Sequence, residues 1–219
     1  MIVNPTSSAP DAVRRPERQA ETWARAAAVV LASFAIGMLT FFAQGILPDA
    51  LTSFANSASG WTLVTVLLLA WARASTPLAA ALGAVSFVVL TVGYSASAHL
   101  HGLFYDPTLF VVIGVVVGPF VGVATSWLRA GSEWRTAAGT ALLAGIGLGE
   151  AFYGLTAVAE TTSPVYWSTI GVVALGLLVV MLVRRIRSTL ARGAAVVGAA
   201  AVAGAFLAAY SALGATSFS

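Results

Sequence analysis

Long apolar segments separated by short polar ones make up the chain after residue 22. A helix that crosses a membrane needs roughly 20 consecutive, mostly apolar residues. Seven segments meet this requirement, and they predict an all-α, polytopic transmembrane bundle of about seven spans. The predicted spans are residues 26–47, 51–72, 77–98, 108–128, 136–158, 165–183 and 193–213.

Two of these spans depart from a uniformly apolar pattern. The second span begins with a polar run from Thr52 to Gly60, which contains four serine and asparagine side chains. The last span is rich in Ala and Gly and has no charged residue after it. Charge therefore supports six spans, whereas the seventh is predicted from hydropathy alone; the bundle has six spans if that segment is not inserted.

The polar segment before the first span, residues 1–22, contains Pro5, Pro10 and Pro16. This composition predicts a disordered cytoplasmic tail, followed by a single transmembrane domain over residues 23–219. The apolar run after the tail is long and further spans follow it, so the pattern is not that of a cleavable signal peptide.

The composition agrees with a chain surrounded by lipid, since 59% of its residues are hydrophobic and only 9% are charged. A soluble domain usually carries about a quarter charged residues. The chain contains no cysteine, which excludes disulfides and thiolate metal sites. All eleven Lys or Arg residues are arginine. The absence of lysine excludes a retinal Schiff base and a P-loop.

The arginines give the predicted bundle a direction. With seven spans, all of them fall on one side, whereas the opposite loops hold Asp49, Asp106 and Glu160. The positive-inside rule makes the arginine side cytoplasmic. We therefore expect a bacterial inner (plasma) membrane protein with its N-terminus in the cytoplasm and its C-terminus outside. The arginines are Arg14, Arg15, Arg18, Arg25, Arg73, Arg129, Arg135, Arg184, Arg185, Arg187 and Arg192.

Glu150 is the acidic residue placed within a predicted span, about two turns from its outer end. A carboxylate inside a membrane is costly and is by default a candidate functional group. Its helical neighbours include Gly147, Tyr153 and Gly154, which suit a packed or polar face. Glu150 is therefore predicted to point into the bundle, either as part of a binding site or as a structural group that joins two helices.

Other polar residues lie near the outer ends of the predicted helices. Gln44, Asn56, Tyr94 and Tyr153 are candidates to share an outward-facing pocket with Glu150 at its floor. The alternative interpretation is an ordinary hydrated loop surface.

His99, His101 and Asp106 are weak candidates for a metal site near the same rim, because imidazole and carboxylate groups bind divalent ions. A hydrated loop surface is the favoured interpretation for these three residues. The sequence offers no nucleophile and no cofactor motif. We therefore predict no catalytic residue and no cofactor, and the balance is against an enzyme.

Gly114, Gly118 and Gly122 recur every four residues on the fourth predicted span. Such a small-residue face lets two helices approach closely. Packing within the chain is the preferred interpretation, and the alternative is a docking face for another membrane protein. The arginines are explained by topology and by contact with anionic lipid, so no nucleic-acid partner is expected.

Several short motifs go beyond composition. The run from Leu39 to Asp49, LTFFAQGILPD, precedes Trp61, and later motifs are Gly118-Pro119, Leu148-Gly149-Glu150 and Tyr153-Gly154. Together they resemble a family of small bacterial multi-pass membrane proteins of uncharacterised function, over about residues 30–190. The resemblance implies a membrane location and no activity. Ala28, Ala32 and Gly37 on the first span give a looser likeness to substrate-binding subunits of energy-coupling-factor transporters.

Two functional hypotheses follow. The first is a membrane protein that binds a small ligand or ion in an outward-facing polar pocket, as a transport component. The second is a structural or assembly subunit of a larger membrane complex.

Overall fold

The computed structural model describes the backbone of residues 9–216, and the side chains of residues 16–212 except Asn56. Every regular element in this part of the chain is a helix. The elements are α1 (Ala9–Ile46), α2 (Asp49–Thr52), a 3-10 helix (Ser53–Asn56), α3 (Ala58–Ala72), α4 (Thr76–Leu100), α5 (Thr108–Trp127), α6 (Glu133–Ala157), α7 (Pro164–Arg184) and α8 (Thr189–Thr216). The prediction of an all-α membrane bundle is confirmed.

Six of these helices are long and apolar enough to cross a membrane: α1, α4, α5, α6, α7 and α8. The count rises to seven if the segment 49–55 and α3 together form one broken span, bent by 65°. The irregular element is therefore the second predicted span. The last predicted span is a continuous helix, α8, long enough to cross a membrane.

The second span breaks because its polar start favours a helix cap over a continuous helix. Ser57 has an extended backbone, with φ −125° and ψ 150°, and its side chain accepts a hydrogen bond from the Gly60 N–H. Serine is among the preferred N-cap residues because its oxygen replaces a missing helical acceptor. At 15 residues, α3 is about 22 Å long and does not by itself cross a bilayer core of about 30 Å.

Part of the segment predicted as a tail lies in α1, which begins at Ala9 and continues through Pro16. Residues 1–8 of that predicted tail lie outside the described part. The segment contains helix-favouring Glu, Arg and Ala residues, and Glu21 forms an ion pair with Arg25 one turn later. Local helix propensity thus outweighs the effect of Pro16, which lies beyond the first turn of α1.

The spanning helices pack mainly on their neighbours along the order α1, α4, α5, α6, and α7 and α8 both pack on α6. In the α1–α4 contact, Ser33 and Ser86 are hydrogen bonded through their buried hydroxyls at 3.1 Å. In the α4–α5 contact, a Cβ atom at Gly118 would lie 2.7 Å from the Ala84 Cα atom. The three glycines of the α5 stripe are all buried against α4. The face formed by these three glycines therefore packs within the chain, which agrees with the preferred interpretation of their spacing.

The arginine-bearing loops lie at one end of the bundle. The Arg129 guanidinium donates hydrogen bonds to the Ala70 and Ala74 carbonyls, at 3.1 and 3.5 Å, and so joins the end of α5 to the end of α3. Arg185, after α7, donates to the Ala130 carbonyl at 3.2 Å. The N-terminus of α3 consequently points toward the opposite, arginine-free end.

Candidate functional site: a carboxylate at the end of a broken helix

Glu150 lies in α6, seven residues before the end of that helix at Ala157. This places it about 10 Å below the arginine-free end of the helix by helical rise. The surrounding segment contains Gly145, Gly147 and Gly149, which allow α7 and α8 to approach α6 closely. The Glu150 side chain is only 2% exposed, as expected for a group that points into the bundle.

The Glu150 carboxylate binds the N-terminus of α3. One oxygen, Oε1, accepts a hydrogen bond from the Ala58 N–H at 2.8 Å, and Oε2 accepts one from the Ser59 N–H at 2.5 Å. The first N–H groups of a helix have no acceptor within it. They also form the positive end of the helix dipole, which stabilises a nearby negative charge. The carboxylate therefore provides the acceptors that the first amides of α3 lack, and these amides provide donors for the carboxylate.

Ser57 completes this arrangement from the other side of the helix end. Its Oγ accepts a hydrogen bond from the Gly60 N–H at 2.9 Å and is hydrogen bonded to the Tyr166 hydroxyl of α7. A Cβ atom at Gly60 would lie 3.0 Å from the Ser57 Oγ and closer still to the Phe54 carbonyl oxygen. Glycine is thus required at position 60 for the approach of the cap.

The Ser59 hydroxyl also lies at this end of α3. Ser59 is 7% exposed, and its side chain lies beside the Glu150 carboxylate, whose negative charge it stabilises. Within the described residues, Thr65 and Thr140 have buried hydroxyl oxygens without a hydrogen-bond partner. Unsatisfied buried polar atoms are uncommon, and each calls for an explanation such as a bound water or ion.

Tyr166 of α7 and Tyr210 of α8 lie near enough to Glu150 to interact electrostatically with its carboxylate. The Tyr210 ring also contacts Tyr153, with ring centroids 5.1 Å apart. Within the described residues the one salt bridge joins Arg25 to Glu21, so no cation neutralises Glu150 there. Helix-end amides and hydroxyl groups provide its polar surroundings.

The predicted pocket residues fall into two groups. The Tyr94 hydroxyl donates to the Gln44 Oε1 at 3.5 Å, and the Tyr94 ring lies 6.5 Å from that of Trp61. No hydrogen bond links this pair to Glu150 among the side chains that the structure describes. Tyr153 packs on Tyr210, as described above. Asn56 ends the 3-10 helix, and its side chain lies outside the described part.

The rim outside the spans contains Tyr105 and Asp106. Burial raises the pKa of Tyr105 to about 12, with smaller contributions from Tyr94 and Asp106. Asp106 accepts hydrogen bonds from the Thr108 hydroxyl at 2.6 Å and from the Thr108 N–H at 2.9 Å. These two bonds hold the pKa of the Asp106 carboxyl below its usual range. Asp106 therefore binds the first turn of α5.

The weak metal candidates are not brought together in the described structure. Nδ1 of His101 is hydrogen bonded to the Ser97 carbonyl at 2.7 Å. The ring of His99 is exposed and lies 6.1 Å from that of Phe104. Within residues 9–216 as described, no three His, Asp or Glu side chains form a group that could hold a metal ion.

Two cavities on the bundle surface are apolar grooves. One, of about 280 Å³, lies between α5 and α6 beside Phe120 and Trp127, and the other, of about 310 Å³, lies between α6 and α8 beside Trp134 and Val202. Neither groove is lined by Glu150, which is buried between the helices.

Sequence reasoning identified Glu150 but missed the groups that bind it. Ala58 and Ser59 contribute backbone amides, which carry no side-chain signal. Ser57 and Tyr166 were also missed. The available signal was the run Ser57-Ala58-Ser59-Gly60, whose serine cap and glycine are typical of a helix start.

The long apolar helices and the intramembrane helix end define an integral, multi-pass membrane protein. Comparison with protein families gives its relationship: the chain belongs to the family of unknown function DUF6518, which matches residues 16–215. This confirms the resemblance to an uncharacterised membrane family. No curated protein and no solved structure matches the chain. The looser likeness to energy-coupling-factor subunits gains no support.

Proposed function

We propose that the protein binds a small ligand or ion as a transport component, and that the binding centre is Glu150 with the N-terminus of α3. The observation that carries this proposal is the pair of hydrogen bonds from the Ala58 and Ser59 amides to the Glu150 carboxylate. They place an ionisable group at a helix end inside an apolar bundle.

A broken span supports this proposal for a physical reason. Backbone groups freed by a break cannot bind water in the hydrocarbon region, so breaks are tolerated where protein or a cavity satisfies them. The helix ends exposed by such breaks form the substrate and ion sites of many transporters. A continuous second span would have left the buried Glu150 carboxylate of α6 without these two amide donors.

The site is proposed to face the outside of the cell. The arginine-bearing end of the bundle, which includes Arg129 and Arg185, is the cytoplasmic end under the positive-inside rule. The N-terminus of α3 then lies in the outer half of the plasma membrane, with the N-terminus of the chain inside and the C-terminus outside. The segment 49–56 covers the centre, with the Phe54 ring packed edge-on against Tyr166, and must move for a ligand to enter.

The experiment is a ligand screen on the full chain in lipid nanodiscs, read by thermal unfolding. The panel contains inorganic anions, inorganic cations, short carboxylic acids and amino acids, tested on the parent, on Glu150→Gln and on Glu160→Gln. Glu160 is a matched control, since it is an exposed glutamate in the loop after α6. A ligand at 100 times its Kd raises the free energy of unfolding by about 2.7 kcal/mol.

We expect at least one panel member to stabilise the parent and Glu160→Gln equally, and to act with a several-fold different affinity on Glu150→Gln. If every panel member leaves all three proteins unchanged, the proposal fails. The alternative hypothesis, a structural or assembly subunit, would then be preferred.

A further inference from the structure

We propose that the face of α6 between its two flanking grooves binds one phospholipid with an anionic headgroup. One acyl chain lies in each groove, and the headgroup phosphate lies beside Arg135. This site is separate from Glu150 and does not depend on the function proposed for that residue.

The two apolar grooves run along opposite sides of the same stretch of α6. The first lies between α5 and α6, the second lies between α6 and α8, and Ala138 and Leu142 line both of them. These two residues therefore form a ridge that separates the grooves. Ala138, at the end of the ridge nearer the arginine-bearing loops, has only a methyl side chain. The ridge is consequently low at the point where the two chains of a phospholipid would join.

Both grooves are confined to the half of the bundle next to the arginine-bearing loops. Their walls are Pro119–Trp127 on α5, Trp134–Leu142 on α6 and Ala194–Val202 on α8. Each range covers nine residues, and its ends lie about 12 Å apart along the helix axis. One leaflet contributes about 15 Å to the hydrocarbon layer of a bilayer. The grooves therefore match the depth that the acyl chains of one leaflet occupy.

Two tryptophans line the ends of the grooves that lie nearest the arginine-bearing loops. Trp127 is the last residue of α5, and Trp134 is the second residue of α6. Tryptophan is enriched at the membrane–water interface because its ring is apolar and its N–H is polar. Among the described residues, the indoles of Trp61 and Trp167 donate within the bundle, whereas those of Trp127 and Trp134 have no acceptor. Their N–H groups are thus available to the oxygens of a lipid headgroup.

Arg135 provides the charge that selects the headgroup. It precedes Ala138 by three residues and Leu142 by seven, so it lies on the same face of α6 as the ridge. Its side chain is exposed and makes no salt bridge within the described residues. Glu133 projects from nearly the opposite side of α6, where its carboxylate accepts a hydrogen bond from the Ser188 N–H at 2.9 Å. The mouth of the grooves is therefore positively charged.

This positive charge favours an anionic lipid over a zwitterionic one. The outer walls of the grooves add no opposing charge, since α5 and α8 contain no acidic residue. Basic sites between membrane helices on the cytoplasmic side bind anionic headgroups, and one arginine near such lipids is worth about a fivefold preference. In the orientation proposed above, the grooves lie in the cytoplasmic leaflet, which is rich in anionic lipids.

A second protein helix fits this surface less well than a lipid does. A helix is about 10 Å wide and cannot enter two grooves on either side of a ridge at once. A second copy of the chain docked here by twofold symmetry would bring its own Arg135 near this one, and the like charges would repel. Two thin acyl chains with a negative headgroup meet neither obstacle.

The test is a lipid titration of the delipidated full chain in detergent micelles, followed by native mass spectrometry. The probes are dioleoyl-phosphatidylglycerol, which is anionic, and dioleoyl-phosphatidylcholine, which has the same chains and is zwitterionic. For the parent we expect the first phosphatidylglycerol to bind about fivefold more tightly than the first phosphatidylcholine. We also expect one tightly bound lipid per protein chain.

Four variants separate the headgroup contact from the chain contact. Arg135→Gln should abolish the preference for phosphatidylglycerol, and Arg187→Gln should retain it, because Arg187 is an exposed arginine that lines neither groove. Ala138→Phe places a ring on the ridge and should weaken the binding of both lipids at least fivefold. Ala200→Phe, at an exposed alanine that lines neither groove, should leave both affinities unchanged.

Equal affinities of the parent for the two lipids would overturn the proposal, as would a preference that survives in Arg135→Gln. Two equivalent tight sites for phosphatidylglycerol would overturn it as well, because each groove would then hold a separate lipid. A protein dimer that excludes lipid and that Ala138→Phe dissociates would assign this face to a second copy of the chain instead.

Discussion

Removal of the Glu150 carboxylate should loosen the attachment of α3 to the rest of the bundle. In Glu150→Ala, the Ala58 and Ser59 amides lose their acceptors at a site that is 2% exposed. The hydrocarbon region around the bundle contains no water that could replace the carboxylate as an acceptor. We therefore expect Glu150→Ala to be substantially less stable than the parent protein.

The magnitude follows from the two amides. A buried donor left without an acceptor costs about 1–3 kcal/mol, so the loss for the Ala58 and Ser59 amides together is about 2–6 kcal/mol. For a chain of this length, each kcal/mol lowers Tm by about 2–4 °C. The predicted fall in Tm for Glu150→Ala is thus roughly 4–24 °C.

Glu150→Gln gives the graded comparison. A glutamine side chain of similar shape retains one carbonyl oxygen, which can accept from one of the two amides. It lacks the charge that strengthens the bonds at the end of α3. We expect its loss of stability to be smaller than that of Glu150→Ala, and roughly half of it.

The assay is thermal unfolding in nanodiscs at pH 8 without added small anions, followed by tryptophan fluorescence. Glu160→Ala is the matched control, because it removes a carboxylate from an exposed loop position and should leave Tm within about 1 °C. The reasoning is refuted if Glu150→Ala unfolds at the same temperature as Glu160→Ala. It is also refuted if the Gln and Ala variants of Glu150 lose stability equally.

Three further predictions use the same unfolding assay. Gly118→Ala should destabilise the protein by about 1–3 kcal/mol, because the new Cβ meets the α4 backbone. Gly176→Ala has open space around it and should stabilise the protein by up to about 1 kcal/mol. A change of the same sign in both variants would contradict the packing described. Ser57→Ala and Tyr166→Phe should each cost about 0.5–2 kcal/mol, and the double variant should cost less than their sum; strict additivity would argue against their hydrogen bond. Arg73→Gly should raise the free energy of unfolding by up to about 1 kcal/mol, because φ at position 73 is +51° and glycine adopts this conformation without strain. A loss of stability would show that the arginine side chain contributes more than the backbone strain costs.

The sequence predicted most of the fold because the membrane imposes a simple rule. An uninterrupted apolar segment of sufficient length has few alternatives to a spanning helix. The glycine stripe on α5 was likewise assigned to helix packing by its spacing, and its contact with Ala84 agrees. Mean hydropathy predicts the second span but not the break within it, where Ser57 caps α3.

The candidate site could be predicted only in part, for a different reason. The cost of burying a charge in lipid made Glu150 conspicuous in the sequence. Its partners are two backbone amides of a helix that is distant in the chain, and backbone groups are the same at every position. Of the other predicted pocket residues, Gln44 and Tyr94 contact each other, and no described hydrogen bond joins them to Glu150, so their part in a common site stays a prediction.

The depth of Glu150 has an electrical consequence. A proton that reaches the carboxylate from the arginine-free side travels about 10 Å into a hydrocarbon layer of about 30 Å, and so crosses about a third of the membrane voltage. Moving one charge through the whole voltage is worth about 2.3 kcal/mol per 100 mV. A third of this, about 0.8 kcal/mol, corresponds to about a fourfold change in occupancy by the proton. In the proposed orientation, with the arginine-free end outside and the cell interior negative, an energised membrane would favour the protonated form of Glu150.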